Sequence, residues 1–463
     1  MQVMKFGAVS VGEAARLRDV VGIVQAAVEE DRGLVVVCTA HPETTDMLIN
    51  AARMAASGSE AQAEATRREL WNRHRALAEK LVTDEWERES LYREWAELLK
   101  QFDRITRAIA TLREPSPRGI DAVAAIGERF IAHLFAVVLR QGGVAARMTD
   151  AADLVVTDSH FGAAQVDPAE SMDRIFKRLS YLMDAGIVPV ITGYIGATRE
   201  GLVTTLGRGG GDYTAALIGS ALKAREVTLW IDVDGILTAD PKLVPSARSL
   251  AELSYAEASE IATFGAEVLH SRALAPLVAQ GIPLRLRDVL NPERDGTSIH
   301  AAPKPANSGV RAIISAPHLA LLKVLPPTGT LWSPGRVASA LGQLSDAGVE
   351  VLSFAQSFSE HSMSVCVRAT DAGFARGTLE TLLAPPCGDT PSAATVEQED
   401  VALIAVITSS GGDVAPKVLG AISKASAHVL SLARSSHGAH LALIVPEGEL
   451  GGLVRSMHRE LGL

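Results

Sequence analysis

A glycine-rich stretch near the middle of the chain has the composition of an anion-binding turn. Residues 204–212 read TTLGRGGGD, and a helical pattern follows from Tyr213 to Ala224. Glycines let the backbone approach a ligand closely and direct its N–H groups at an anion, and the start of a helix attracts the same anion. Arg208 adds a planar guanidinium that suits a carboxylate or a phosphate. The stretch therefore predicts a phosphate-binding site rather than an ordinary surface turn.

Three other stretches carry polar groups that could serve the same site. Residues 232–242 follow a buried strand pattern, at the carboxyl end where open α/β sheets bind ligands. Their aspartates could hold magnesium or ribose hydroxyls, or could simply form turns. Lys5, followed by Gly7 and Ser10, offers a compact charge for a phosphoryl oxygen. We expect residues 127–129 (GER) to open a helix. A glutamate there could hold an ammonium group, although a carboxylate that satisfies the helix dipole is the simpler explanation.

The motifs that the sequence lacks narrow the chemistry. It contains no G-x-x-x-x-G-K-[ST], no H-R-D or D-F-G set, no G-x-S-x-G elbow and no H-E-x-x-H. Cations and glycine turns without an obvious general base fit the transfer of a phosphoryl group to a carboxylate. A carboxylate is already ionised at neutral pH. The enzyme then has mainly to align two anions and to neutralise the charge between them.

The elements around these motifs alternate in the manner of an α/β domain. Leu34–Cys38 is a continuous apolar run typical of a buried parallel strand. Helical patterns lie between such runs over residues 1–300, which is the signature of a parallel sheet covered by helices. Further strand patterns lie at residues 3–6, 154–156, 188–191 and 227–231.

Residues 57–117 interrupt this alternation. They carry many charges and helically spaced apolar residues but no convincing strand. We interpret them as a helical excursion that acts as a scaffold without chemistry, and a coiled-coil partner site is the alternative.

A second region follows a proline-containing linker at residues 301–309. Residues 351–357 (VLSFAQS) match residues 429–435 (VLSLARS), and each copy follows a helical pattern and precedes another strand pattern. The repeat predicts two α+β modules over residues 310–463. Because neither module contains a nucleophile with a base or a set of metal ligands, we expect them to sense rather than to catalyse.

Composition excludes several classes of protein. The 463-residue chain has 54 acidic and 44 basic residues, and this net charge of −10 argues against nucleic-acid binding. No apolar run approaches the roughly 18 residues that a membrane helix needs, and the first residues lack the apolar stretch of a signal peptide. Three widely spaced cysteines (Cys38, Cys366 and Cys387) exclude a disulfide framework and fit a reducing cytosol. We expect a cytoplasmic protein that binds neither nucleic acid nor membrane.

Together, these stretches resemble the amino-acid kinase family and, within it, the aspartate kinases. Residues 5–11 (KFGAVSV) resemble the family's K-F-G-G-T-S-V, and residues 204–212 its T-T-L-G-R-G-G-S-D. Residues 232–242 resemble its D-V-D-G-[IV]-Y-T-x-D-P-R. Shorter matches are Thr39-Ala40 and Thr45-Asp46 with S-A-M…T-[DN], residues 127–128 with G-E, residues 157–162 with T-D-x-x-F-G, and residues 262–270 with A-T-F-G-A-K-V-L-H-P.

The resemblance covers essentially the whole chain and implies its architecture. Residues 1–300 would form a three-layer α/β sandwich with a mainly parallel central sheet, with the helical excursion at 57–117. Residues 310–463 would form two interleaved, ferredoxin-like α+β modules of the ACT type. By the same resemblance, the protein would be a homodimer through these modules and would respond to an amino-acid effector.

The resemblance also implies a reaction. ATP would phosphorylate the side-chain carboxylate of L-aspartate to β-aspartyl phosphate, the entry step to lysine, threonine and methionine. Lys5 would face the transferring phosphoryl group, and Asp212 would orient the phosphate end of the site. Arg208 would bind the α-carboxylate of aspartate and Glu128 its ammonium group, while Mg²⁺ would bridge the phosphates. The other contacts would come from Thr39 and Thr45 for aspartate, and from Gly7, Ser10, Gly209, Gly210, Asp232, Asp234, Gly235, Leu237, Asp240 and Lys242 for ATP.

The sequence also departs from the family pattern. Glu267 replaces a lysine that faces the nucleotide, and like charges about 4 Å apart repel by roughly 4 kcal/mol at an effective dielectric near 20. Lys242 could compensate. Leu352 replaces the aspartate that holds an inhibitory lysine, which puts regulation by lysine in doubt. The remaining departures are Ala8 for Gly, Val9 for Thr, Ile131 for Ser, Gly211 for Ser, Ile231 for Thr and Leu237 for Tyr.

Three hypotheses remain open at this point. The first is a divergent aspartate kinase, because Lys5, Glu128, Arg208 and Asp212 are all retained. The second is a carboxylate kinase that acts on another amino acid in a specialised pathway. The third is a non-catalytic regulatory paralogue, because Glu267 and the altered first turn weaken the ATP site.

Overall fold

The computed structural model divides the chain into two compact units, which we describe one at a time. The first comprises Met1–Ile236 and Ser249–Lys304, and the second comprises Leu237–Arg248 and Pro305–Leu463. The break after residue 304 falls inside the linker predicted at 301–309, whereas the sequence patterns do not predict that Leu237–Arg248 packs with the second unit. The structure describes all residues except 31–32, 266–268, 304–308, 326–333, 358–361, 384–394 and 410–413, and the side chains of 60, 334, 382 and 383.

The first unit is built on a mainly parallel sheet, as predicted. In chain order its strands are β1 (Gln2–Phe6), β2 (Leu34–Cys38), β3 (Ala146–Thr149), β4 (Val156–Thr157), β5 (Val188–Thr192), β6 (Ile195–Thr198), β7 (Val203–Thr205), β8 (Glu226–Ile231), β9 (Glu252–Ser254), β10 (Leu284–Asp288) and β11 (Thr297–His300). Eight of them form one sheet in the order β3-β5-β2-β1-β8-β10-β11-β9, in which only β10 and β11 are antiparallel neighbours. Strands β4, β6 and β7 form a small separate sheet.

The register of the central strands brings the predicted motifs to one edge. Lys5 of β1 lies opposite Val37 of β2 and Leu229 of β8, and all three strands run parallel. Strand β2 is buried along its whole length, which accounts for its unbroken apolar sequence. The segments that follow β1, β2 and β8 therefore all begin at the carboxyl edge of the sheet, where ligands of open α/β sheets bind.

Helices cover the sheet, and one of them forms the centre of the core. In chain order the helices are α1 (Ala8–Val11), α2 (Ala14–Glu30), α3 (Thr44–Ala56), α4 (Glu60–Leu81), α5 (Glu85–Leu112), α6 (Pro117–Gln141), α7 (Pro168–Asp184), α8 (Gly210–Ala221), α9 (Tyr255–Thr263) and α10 (Ala275–Val278). Helix α6 is long and apolar enough to cross a membrane by length and composition, but 83% of its most apolar window is buried within the protein. Its position in the core accounts for that composition.

The predicted helical excursion is confirmed as two long helices, α4 and α5, without a strand. Its inner face is aromatic. Trp95 of α5 is fully buried, stacks on Phe130 of α6 with ring centroids 5.2 Å apart, and donates its indole N–H to the Phe130 carbonyl oxygen at 3.1 Å. The hairpin is thus anchored to the core helix by packing and by a buried hydrogen bond.

The second unit contains the predicted repeat. In chain order its elements are β12 (Val310–Leu325), α11 (Pro334–Asp346), β13 (Ser353–Ser357), β14 (Ser362–Arg368), α12 (Ala372–Leu383), β15 (Thr395–Thr408), α13 (Ala415–Ala425), β16 (Ser431–Arg434), β17 (His440–Pro446) and α14 (Leu450–Leu461). The order strand-helix-strand-strand-helix occurs twice. All six strands form one antiparallel sheet in the order β13-β14-β12-β15-β17-β16.

The two long central strands of this sheet belong to both modules. Ala320 and Leu322 of β12 pack in a core with helices α11 and α12, whereas Val310 and Ile313 of the same strand pack in a second core with α13 and α14. Strand β15 is shared in the same way: its first part packs in the core with α11 and α12, and its last part packs in the core with α13 and α14. The modules are therefore interleaved rather than separable.

The segment Leu237–Arg248 is built into the second of these cores. Its Thr238 carbonyl oxygen accepts the Ile313 N–H at 2.8 Å, and its Thr238 hydroxyl lies 3.0 Å from the Nε2 of His458 in α14. Ala239 and Val244 are buried in the same cluster. These contacts explain why twelve residues from the middle of the first unit's sequence pack with the C-terminal modules.

Candidate active site

A shielded ion pair lies where the central strands end. The Nζ of Lys5 in β1 is 2.7 Å from a carboxylate oxygen of Asp212, in the first turn of α8, and the two side chains are only 13% and 15% exposed. A cation held away from water acts strongly on any anion brought near it. The structure thus brings together two residues that are 207 positions apart and that the sequence assigned to the same site.

The glycines that begin α8 are required by close approach of their neighbours. Gly209 has a φ of 71°, and a Cβ at this position would lie 2.4 Å from the Cβ of His270. A Cβ at Gly211 would lie 2.7 Å from the Cγ2 of Thr39 and 3.4 Å from the Cε of Lys5. The backbone of this turn therefore packs directly against the Lys5 side chain, as the glycine-rich sequence predicts.

Glu128 lies in the middle of α6, which runs from Pro117 to Gln141. The expectation that residues 127–129 open a helix, and that the glutamate satisfies a helix dipole, is wrong. The reason is that the apolar residues of α6 continue both before and after Glu128, so the glutamate lies inside the helix. Gly127, next to it, is needed for helix packing, because a Cβ there would lie 2.9 Å from the Cγ2 of Thr44.

The contacts of Glu128 within the protein do not fully compensate its carboxyl group for the hydration lost on burial. Burial raises its pKa to about 8, although a hydrogen bond from the Ala40 N–H and the positive charge of Lys5 both lower it. Its Oε2 is buried and has no hydrogen-bond partner among the described residues. A cationic group beside this oxygen would compensate for the lost hydration.

Two buried hydroxyls near these residues also have no partner within the part of the chain that the structure describes. They belong to Ser10, which follows β1, and Thr44, which begins α3 after β2. Buried polar atoms in native proteins are nearly always hydrogen-bonded, so these atoms and the Glu128 oxygen are available to a polar ligand or to water. Thr44 was missed by sequence reasoning, which singled out its half-buried neighbour Thr45.

Arg208 lies two residues before α8, and its guanidinium group faces solvent. Its side chain is exposed, and it forms no ion pair or hydrogen bond with the described residues. A guanidinium in this state can bind a carboxylate in bidentate fashion without first breaking another pair.

Tyr194 is a second residue of this region to which the sequence patterns assigned no role, although residues 193–196 (GYIG) belong to the same glycine-containing region. It has a φ of 73°, which is uncommon for a non-glycine residue and is typical of functional sites. Burial and the nearby carboxylates of Asp121, Glu128 and Asp46 raise the pKa of its phenol, and a hydrogen bond with Thr205 lowers it. Thr205 in turn donates to Asp121 at 2.8 Å. The only sequence signal was the glycine before Tyr194.

The residues predicted to line ATP are divided between the two units. Asp232, Asp234 and Gly235 belong to the first unit. There Asp234 pairs with Arg294 at 3.3 Å, and Gly235 has a φ of 73° against Thr297. Leu237, Asp240 and Lys242 belong to the second unit, where an Asp240 carboxylate oxygen accepts the Lys242 N–H at 2.9 Å.

The described residues contain no cluster of three or more His, Cys, Asp or Glu side chains that could hold a metal ion. Mg²⁺ does not need such a cluster, because it is usually bound by one or two carboxylates together with substrate phosphates.

Several departures from the family pattern have a structural setting. Ala8 and Val9 lie in the short helix α1, for which the extended Gly7 is the N-cap. Ile131 is completely buried in the core of the first unit. Leu352 precedes β13 and its N–H bonds to the Cys366 carbonyl oxygen. Glu267 and Cys387 lie outside the described residues.

Comparisons with known proteins agree with this geometry. Residues 1–288 match the model of the amino acid kinase family. Lysine-sensitive aspartokinase 3 of Escherichia coli is 31% identical over 381 residues, which are 78% of this chain and 81% of that protein. A maize bifunctional aspartokinase/homoserine dehydrogenase is 30% identical over 98% of this chain.

The same fold is found in crystal structures. E. coli aspartokinase III in complex with aspartate and ADP (R-state) has a TM-score of 0.80 and 28% identity, with complete coverage of both chains. Its complex with lysine and aspartate (T-state) has the same TM-score and identity. The chain spans about half the length of the bifunctional relative, or 50%. The chain belongs to the amino acid kinase family. Within that family it is similar to the aspartokinases.

Proposed function

We propose that this protein is an aspartate kinase, which transfers the γ-phosphoryl group of ATP to the side-chain carboxylate of L-aspartate and forms β-aspartyl phosphate. The observation that carries the proposal is the Lys5–Asp212 ion pair next to the glycine turn of α8, together with the charge of Lys5 acting on the buried carboxyl group of Glu128. The similarity to aspartokinase III bound to aspartate and ADP supports the choice of substrates.

The substrate carboxylate is the nucleophile and needs no base, because it is ionised at neutral pH. Lys5 lies against the phosphoryl oxygens and stabilises the charge that spreads over them in the transition state. Asp212 holds the Lys5 ammonium in place and prevents it from pairing with the substrate carboxylate instead.

The opposite end of the amino acid is bound by groups of complementary charge. The Glu128 oxygen without a partner receives the substrate ammonium group, and the free guanidinium of Arg208 binds the α-carboxylate. Thr39 and Thr45 supply hydroxyl contacts. With both charged groups on its Cα held, the amino acid directs its side-chain carboxylate toward the Lys5 region, where the two reactants are aligned for transfer.

The nucleotide is bound by the glycines of the first turn and of α8 and by the segment that follows β8. The residues proposed for it are Gly7, Ser10, Gly209, Gly210, Asp232, Asp234, Gly235, Leu237, Asp240 and Lys242. Mg²⁺, when bound with ATP, would neutralise phosphate charge, with one or two carboxylates completing its coordination as is usual for this ion.

The C-terminal modules are proposed to form a homodimer and to bind an amino-acid effector, in a cytoplasmic enzyme of amino-acid biosynthesis. A ligand that binds one state of these modules better than another would shift the equilibrium between the two states. Lysine is bound by the E. coli relative in its T-state, but Leu352 here provides no charge for a lysine side chain.

A second candidate function is a kinase for a different acidic amino acid. It is favoured by Thr44, whose buried hydroxyl has no partner among the described residues and offers the substrate an additional hydrogen bond.

The experiment is a substrate panel. Purified protein is given ATP, Mg²⁺ and one acidic amino acid at a time, and hydroxylamine traps any acyl phosphate. We expect product with L-aspartate and its loss in Lys5→Ala, while Lys177→Ala, on the exposed face of α7, keeps full activity. Product with another acid alone would establish the second candidate. Folded wild-type protein that forms no product with any acid would overturn both and leave a non-catalytic paralogue.

A further inference from the structure

We infer that Arg73, in the helical excursion, is a positioning residue for the loop that carries Thr39 and Ala40. The inference rests on the proposed function for its meaning, because this loop is part of the proposed aspartate site. The contacts that support it are independent of that proposal. From the sequence, residues 57–117 are interpreted as a scaffold without chemistry. These contacts instead give one residue of that excursion a role in positioning a loop of the proposed site.

The loop joins the end of β2, at Cys38, to the start of α3, at Thr44. It contributes the Ala40 N–H that bonds to Glu128, and it places Thr39 against Gly211 at the start of α8. A small movement of this loop would therefore displace a hydrogen bond to one proposed substrate ligand and a hydroxyl that is itself a proposed ligand.

The loop adopts a conformation that it would not keep by itself. Glu43, its last residue, has a φ of 62° and caps α3 without a side-chain hydrogen bond. A non-glycine residue in the left-handed region is strained by about 1 kcal/mol or more, and such strain persists only where the surroundings impose it. The structure must therefore hold the loop from outside.

Arg73 of α4 supplies that restraint. Its Nη1 donates to the Pro42 carbonyl oxygen at 3.1 Å and lies 4.0 Å from the Glu43 carboxylate. Its Nε and Nη2 both donate to one oxygen of Glu69, at 3.3 and 3.1 Å, which fixes the plane of the guanidinium. The Arg73 side chain is only 24% exposed, and its hydrogen bond to Pro42 is partly buried, whereas its bonds to Glu69 lie at the surface.

Two further contacts, made by Pro42 and by His41, restrain the loop. The ring of Pro42 packs so tightly on Gly12, at the end of α1, that a Cβ there would lie 2.9 Å from Pro42 Cδ. The ring of His41 lies 5.9 Å from that of His74, the residue after Arg73, and His74 is fully buried against Phe130 at 4.8 Å. Phe130 follows Glu128 by two positions on α6. The excursion thus contacts both the loop and the helix that carries Glu128.

The test compares two arginines of the same helix. Arg73→Met removes the hydrogen bonds and keeps most of the volume. Arg75→Met removes an exposed arginine that pairs with Glu79, one helical turn on, and interacts with Tyr92 of α5. The first readout is hydrogen exchange of the intact protein over residues 39–46. We expect the backbone amides of these residues to exchange about tenfold faster in Arg73→Met, because losing one hydrogen bond to a charged group changes an equilibrium by about that factor. We expect no change in Arg75→Met.

The second readout separates positioning from general damage. In Arg73→Met the KM for the acidic amino acid should rise about tenfold, because the one hydrogen bond from Arg73 to the loop is lost. The KM for ATP and the melting temperature should be nearly unchanged, because the other two bonds join exposed groups of the same helix. Arg73→Lys, which keeps one donor, should restore part of the effect.

The two proposals fail differently. An active enzyme in which Arg73→Met changes neither exchange nor KM would overturn the role of Arg73. A wild-type protein without kinase activity, in which Arg73→Met still accelerates exchange over residues 39–46, would overturn the proposed function and leave the positioning role in place.

Discussion

The methyl group of Thr39 occupies the space into which a side chain at Gly211 would project, with 2.7 Å between the methyl carbon and a Cβ built on the glycine. The family pattern has serine at both positions. In this chain position 39 is threonine and position 211 is glycine, so the methyl group of one residue fills the space that the other leaves open. The absence of a side chain at Gly211 is therefore a packing requirement set by Thr39, while the Lys5 Cε, at 3.4 Å from the same Cβ, is in ordinary contact.

This relationship predicts the behaviour of a serine at position 211. Gly211→Ser should destabilise the protein by about 1–3 kcal/mol, as overpacking of a filled site does, and should weaken activity by displacing Lys5 or Thr39. The double variant Gly211→Ser with Thr39→Ser should regain most of both. Thermal unfolding and initial rates measure this, with Gly22→Ser as control because nothing lies within 4 Å of a Cβ there. A double variant no better than the single one would contradict the compensation.

The raised pKa of Glu128, about 8, predicts how substrate binding depends on pH. An ammonium group binds the ionised carboxylate, so binding near pH 7 must release about one proton, and affinity should rise nearly tenfold per pH unit up to about pH 8. Calorimetry in two buffers of different ionisation enthalpy measures that proton. Glu128→Gln should bind more weakly and release none. Binding by the wild type that is independent of pH between 6 and 8 would argue against this role.

The same group predicts a trend in stability. The folded pKa of Glu128 lies above its ordinary value of 4.5, so the native state keeps a proton that the unfolded chain releases. The unfolding free energy of the wild type should therefore fall, relative to Glu128→Gln, as pH rises from about 4.5 to about 8. Denaturant titrations across this range test the sign.

The buried pair of Thr238 and His458 predicts that α14 holds the segment Leu237–Arg248 in place within the second unit. The Thr238 hydroxyl accepts the Arg248 N–H at 3.0 Å and lies 3.0 Å from the His458 Nε2. His458→Ala should destabilise the second unit by about 1–3 kcal/mol, because a buried hydroxyl loses one of its two hydrogen-bond partners. Since Lys242 is proposed to bind ATP, the KM for ATP should rise more than that for aspartate. The exposed His437→Ala serves as control, and equal effects in both variants would contradict the prediction.

The sequence was sufficient to predict those parts of the fold that are encoded by a few consecutive residues. Apolar runs such as β2, the glycine turn before α8, and the repeated VLS segments all encode their structure within a few residues, and the parallel sheet and the paired modules followed from them. Lys5 and Asp212 could be assigned to one site because each lies in a recognisable motif. Their ion pair is a long-range contact that the motifs implied.

The rest depended on which neighbours the fold supplies. Glu128 looked like the start of a helix because its flanking residues do not show how far α6 extends. Thr44 and Tyr194 have no motif, and only burial reveals their polar groups. The role of Arg73 could not be predicted, because one charged residue among many on α4 is distinguished only by its contact with Pro42.

The measurement that tests the central claim most directly is the identity of the trapped product. Protein, MgATP, L-aspartate and hydroxylamine are incubated together, and NMR determines which carboxyl group of the product carries the hydroxamate. We predict the β-hydroxamate, formed at a rate at least 100-fold lower in Lys5→Met, because the charge that faces the transferring phosphoryl group is lost. Formation of no hydroxamate by folded wild-type protein, or equal rates in Lys5→Met, would contradict the account.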